Sequence, residues 1–152
     1  MTTATSPIPP DPATSRSGRV ARAAGQLTLA AILLTAGATH LTVAREEFRA
    51  QVPPWLPLDP DTVVVGSGVV ELALGAALAT TWRQPARAWV GVTAAAFFVA
   101  VFPGNVAQLV EHRDAFGLDT DAKRLARLPF QALLVGGALV ATDVRRLVRR
   151  RR

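Results

Sequence analysis

Glu71 stands in VVVGSGVVELALGAALATTW (63–82), a run whose other residues are apolar or small. A lone carboxylate at such depth in a membrane span costs ~2.5–3.5 kcal/mol on insertion scales, so it must be protonated, paired or hydrated. Ser67 lies one helical turn before it, and Gly68 and Gly75 occupy the adjoining stripe, so the face that carries the acid also lets another helix approach. Other polar groups recur at helical spacing: His40 one turn after Gly37, Asn105 and Gln108 in a 3,4 series with His112, and Arg127 with Gln131 at i,i+4. A carboxyl and an imidazole can pass a proton, while a guanidinium and amides can donate to the carbonyl oxygens of a ligand. There is no nucleophile beside a base, no set of metal ligands and no nucleotide motif, so no independent catalytic centre is indicated.

Each of these groups also has a plainer use. Asn, Gln and Ser in membrane helices commonly hold helices together, at ~0.6 kcal/mol each. Arg127 can snorkel to an interface, and His40 serves as readily in packing as in proton transfer. Glu71 is too deep and too short for that escape. The expected partner is Arg127, reaching down as the carboxylate reaches up, with Gln131 and His40 completing the hydrogen bonds.

The elements that position these residues follow from composition. Half of the 152 residues are hydrophobic, which leaves too little polar surface for an ordinary soluble domain of this size. Four apolar segments, 23–44, 62–82, 88–110 and 125–143, each approach the ~20 residues that cross a hydrocarbon core as a helix. The expected fold is all-α, a membrane four-helix bundle over 21–144. Residues 1–20, rich in Thr, Ser and Pro at the start, read as a disordered tail, and 145–152 as a basic one. The first segment is longer than a signal-peptide core and lacks a clear A-x-A site, so cleavage is not expected. No cysteine is present, which excludes disulfides, thiolate metal sites and a thiol relay within the chain. The net charge of +6 comes from arginines at the ends of apolar runs, a pattern of membrane flanks and not of nucleic-acid binding.

Eleven basic residues fall in the two tails and the 83–87 loop, against five in loops 45–61 and 111–124, so both termini are expected to be cytoplasmic. At 1.5 Å per residue, His40, Asn105, Gln108, Arg127 and Gln131 then lie within roughly 10 Å of the outer boundary, with Glu71 deepest at roughly 12–15 Å. No polar group is assigned to the cytoplasmic half. Pro129 is expected in the first turn of the fourth helix, where its missing N–H costs nothing. Pro103, followed by Gly104, is expected to kink the third helix and free a carbonyl near Asn105. QVPPWLPLDPD (51–61), with Pro53, Pro54, Trp55, Leu56 and the nearby Phe48, reads as an interfacial lid.

The succession GATHLTVAREEFRAQVPPWLP (37–57), SGVVELALG (67–75), FPGNVAQ (102–108) and RLPFQ (127–131) resembles the DoxX-like proteins, four-helix proteins of the bacterial plasma membrane. The matching positions are His40, Pro53, Pro54, Glu71, Pro103, Asn105, Arg127, Pro129 and Gln131. The resemblance implies a membrane subunit of a redox system, with a redox partner protein and quinone as a ligand. Thiol-linked roles among such relatives do not carry over to a chain without cysteine. Two function classes follow. In one, quinone or another small apolar molecule binds under the lid, with His40, Ser67, Glu71, Asn105, Gln108, Arg127 and Gln131 as the polar contacts or proton carriers. In the other, the bundle is a non-catalytic scaffold, chaperone or lipid-interacting subunit whose polar cluster fixes helix register. A haem held by His40 and His112 is disfavoured, since both lie at the outer edge.

Overall fold

A computed structural model describes residues 15–149 of the chain. The helices are α1 (Arg16–Leu41), α2 (Arg45–Arg49), α3 (Pro60–Thr80), α4 (Ala86–Val110), α5 (Asp121–Ala141) and α6 (Arg145–Arg149). The four long ones are apolar and long enough to cross a membrane, and the protein is an all-α, multi-pass membrane four-helix bundle. Residues 1–14 and 150–152, the outer parts of the expected tails, lie outside the described residues.

Local chemistry sets the helix starts. Ser15 caps α1 by accepting from the Gly18 N–H (3.0 Å), Asp59 caps α3 ahead of Pro60, and Thr120 caps α5 through the Lys123 N–H. These caps correct several expected boundaries. Helix α1 begins inside the expected tail, because charged turns can be solvated beyond the apolar span, and it stops at Leu41, short of residue 44. Helix α5 begins before residue 125, so Pro129 lies in its interior and not in its first turn. The helix runs on through that proline. It also runs through Pro103 in α4. Part of the expected basic tail, Arg145–Arg149, is the short helix α6.

Helix α1 packs on α3 and α5, and α4 packs on α3 and α5, closing a ring of antiparallel neighbours. Leu29, Leu33, Leu74, Leu78, Phe98 and small alanines fill the centre. Glycine decides how closely α1 and α3 meet. A Cβ on Gly37 would lie 2.7 Å from the Gly68 carbonyl oxygen, and one on Gly68 would lie 2.8 Å from His40 Cβ. The small stripe beside Glu71 therefore faces α1, and this contact brings His40 to Glu71. Helix α2 sits over the same end and is tied to α3 by Arg45, whose Nε donates to Asp61 Oδ1 (2.6 Å). That carboxylate holds the half-exposed guanidinium more firmly protonated than usual.

Candidate functional site

Between the helices, at the end covered by α2 and the 111–120 loop, lies a cavity of about 800 Å³. Its walls are mainly apolar, and its polar lining includes His40, Gln51, Ser67, Glu71, Asn105, Arg127 and Gln131, with Thr35 and Thr39 beside His40 on α1. The four long helices, α2 and the two loops at this end thus contribute to a single chamber.

Glu71 is buried, and its Oε2 lies 2.9 Å from His40 Nδ1. The same ring nitrogen lies 2.8 Å from the Ala36 carbonyl oxygen. One Nδ1 hydrogen cannot serve both acceptors fully: directed at Ala36, it leaves the buried Glu71 Oε2 without a hydrogen-bond donor among the described residues. The expected ion pair between Glu71 and Arg127 is not formed. The reason is geometric: the glycine contact seats α1 against α3, so the imidazole reaches the acid, whereas Arg127 is engaged elsewhere. Arg127 Nη1 donates to Gln108 Oε1 (3.2 Å), its guanidinium meets the Gln51 amide, and it lies over the Phe116 ring at 5.2 Å.

Asn105 and Gln131 form a separate pair across α4 and α5. Asn105 Nδ2 donates to Gln131 Oε1 (3.1 Å), and Gln131 Nε2 donates to the Phe98 carbonyl oxygen. The carbonyl used is therefore that of Phe98, before Pro103, and not one beside Asn105. Ser67 lines the cavity while its hydroxyl donates back to the Val64 carbonyl (2.9 Å). Gln108 does not line the cavity. Almost wholly buried, it donates to the Arg113 and Ala115 carbonyls and accepts from Gln51 and Arg127, so it braces the loop and orients the guanidinium. His112 lies outside the chamber, exposed and paired with Asp121.

The cover differs in part from the expected lid. Pro53, Trp55 and Leu56 line the cavity, but Pro54 does not. The aromatic cover continues through Phe48, which stacks on His40 (3.3 Å between centroids, 16°), and Phe116, which meets Phe48 edge-on. Phe116 escaped the sequence reading because it lies in a polar loop with no periodicity. Its φ of 55° and the bond from its N–H to Glu47 Oε2 (2.6 Å) turn its ring inward. Arg113 reinforces the junction by donating to the Ala50 and Val52 carbonyls. Gln51 was missed for a similar reason. It reaches the site because Gly104 lets its backbone approach α4: a Cβ there would lie 2.9 Å from the Gln51 carbonyl oxygen.

The opposite end of the bundle also has a buried polar group, contrary to the sequence reading. Gln26 is fully buried and donates to the Leu78 (2.6 Å) and Thr81 (3.0 Å) carbonyls at the end of α3. Arg87 donates to Gln26 Oε1 (2.6 Å) and to the Ala141 carbonyl (2.8 Å). These bonds satisfy helix-end carbonyls that have no intrahelical partner. This network locks helix ends and contributes nothing to the cavity.

A family model described as a domain of unknown function (DUF8561) matches residues 29–142, which hold the second half of α1 and all of α2 to α5. No curated protein and no solved structure matches the chain.

Proposed function

The chain belongs to this DUF8561 family, and we propose that its bundle is a membrane-embedded binding site for one small, largely apolar molecule whose polar head lies under the aromatic cover. The observation that carries this reading is the cavity itself. Its volume of about 800 Å³ falls within the ~300–1,000 Å³ usual for small-molecule sites, and a mainly apolar wall with a few converging polar groups is their usual chemistry. A bundle whose polar residues served packing alone would close them on one another, as Gln26 and Arg87 are closed at the other end. Instead, Glu71 Oε2 must share one imidazole hydrogen with the Ala36 carbonyl, and Arg127 faces the chamber with amide oxygens and the Phe116 ring around it and no carboxylate among the described residues within ion-pair distance.

The resemblance to DoxX-like proteins gives this reading a more specific form: an accessory subunit of a bacterial plasma-membrane redox system, with both termini cytoplasmic, quinone as ligand and a redox partner protein. Donors for a quinone carbonyl are present in Arg127 and His40. The test is direct. Trp55 lines the cavity mouth, so in a variant with Trp82 and Trp89 replaced by Phe, short-chain quinones and other apolar ligands should quench it saturably. His40→Ala should weaken quinone binding about tenfold, near the value of one hydrogen bond. If no apolar ligand alters Trp55 fluorescence while the fold is retained, and extraction of the purified protein releases no small molecule, the scaffold reading takes its place.

A further inference from the structure

We propose that the molecule taken by this cavity carries a single anionic oxyanion head, a carboxylate on one apolar chain, and that Arg127 is the group that receives it. The inference rests on the binding-site reading above, and names a carboxylate in place of quinone as the ligand class. Arg127 is the only cation lining the cavity among the described residues. It is half-buried within α5, and no carboxylate there lies within ion-pair distance of it. Its neighbour one turn earlier on the same helix is treated differently: Arg124 is buried against both Asp114 and Asp121. The two cations thus face opposite conditions within one turn of α5. Arg124 is neutralised by the protein, and Arg127 is left to amide oxygens and the face of Phe116.

Amide oxygens accept hydrogen bonds but do not cancel charge, and an unpaired cation away from water is costly. A guanidinium presents five donors in a planar fork that matches a carboxylate bidentately. Here Nη1 uses one donor on Gln108, the Gln51 amide with its oxygen turned to the guanidinium accepts from Nη1 and from Nη2 (3.0 Å), and Nε has no hydrogen bond among the described residues. Donors therefore remain for an incoming anion. Glu71 cannot supply that anion, being held on the α1–α3 wall beside His40. Its carboxyl instead disfavours a second negative group nearby and so directs the head to the α5 side. Val63, Val101, Phe98 and Leu134 provide apolar surface for the chain.

The test uses the full-length protein with Trp55 as its single tryptophan, in nanodiscs of phosphatidylcholine. Three ω-brominated probes of equal chain length are titrated as contact quenchers: a dodecanoate, the matching alcohol and the matching amine. Saturable quenching by the carboxylate at a concentration at least tenfold below that for the alcohol is expected. Arg127→Gln should remove this preference and leave alcohol binding unchanged, and Arg127→Lys, which keeps the charge but not the fork, should retain part of it. Nanodiscs containing phosphatidylglycerol test the competing head: if they abolish the saturable signal, a two-chain phosphodiester lipid occupies the site and the single-chain carboxylate assignment is overturned, and if they leave it, a free carboxylate is the ligand. Equal affinity for carboxylate and alcohol, or preference for the amine, overturns the anion assignment while the binding-site reading stands. Saturable quenching by none of the three, with quinones equally silent, removes both. Should Arg127→Gln fail to fold, a carboxylate preference left unchanged in Arg127→Lys and in Gln51→Ala would equally overturn the role given to the fork.

Discussion

Replacing Glu71 by Gln separates the pairing that the fold produces from the one the sequence suggests. His40 Nδ1 and Glu71 Oε2 lie 2.9 Å apart, whereas Arg127 meets Gln108, Gln51 and Phe116. A hydrogen bond to a charged partner contributes ~1.5–3 kcal/mol. The Ala36 carbonyl competes for the same Nδ1 hydrogen at 2.8 Å, which places the His40–Glu71 coupling at the low end, about 1.5 kcal/mol, or roughly tenfold in the folding constant. His40→Phe is the suitable partner mutation, because a phenyl ring keeps the stacking on Phe48 and removes only the nitrogens. A double-mutant cycle of His40→Phe with Glu71→Gln, followed by reversible unfolding in mixed detergent micelles, should return that coupling. The cycle of Glu71→Gln with Arg127→Gln should be additive within ~0.3–0.5 kcal/mol, as for sites without shared partners. Additivity in the first cycle, or a coupling of about 1 kcal/mol or more in the second, would refute the pairing described here.

Gly104→Ala should destabilise the protein by about 1–3 kcal/mol and weaken ligand quenching of Trp55, because its Cβ would press on the Gln51 carbonyl 2.9 Å away. Gly66→Ala, with nothing within 4 Å of the added carbon, is the control and should be neutral or slightly stabilising in the same unfolding and fluorescence assays. Arg87→Ala should cost about 1–3 kcal/mol for the buried acceptors it strands on Gln26 and Ala141. It should leave probe affinity at the cavity unchanged, and a matching loss of affinity would show that the two ends of the bundle are coupled.

Most of the fold was legible because a hydrocarbon core imposes length and composition on anything that crosses it. Four apolar runs named four helices, and only their ends moved, where caps such as Ser15 and Thr120 outweigh hydropathy. Small residues flanking Glu71 announced a close helix contact, and Gly37 and Gly68 provide it. Periodicity also marked His40, Ser67, Glu71, Asn105, Gln108, Arg127 and Gln131 as candidates; six of them line one cavity, and Gln108 lies outside its lining.

Which polar group meets which was not legible. Helical spacing tells which residues share a face of one helix, but the partner across the interface depends on the rotation and height at which two helices settle. That choice is made by backbone contacts such as Gly37 on Gly68, and it gave Glu71 to His40 and left Arg127 without a counter-ion among the described residues. Gln26, Gln51 and Phe116 were passed over for related reasons: Gln26 stands singly at the end of a span, and the other two sit in loops whose paths follow from Gly104 and from the bond between Phe116 and Glu47. Residue type and period are local properties of a chain. Pairing and enclosure belong to the packed bundle, because they are set by distances between segments that no local pattern encodes.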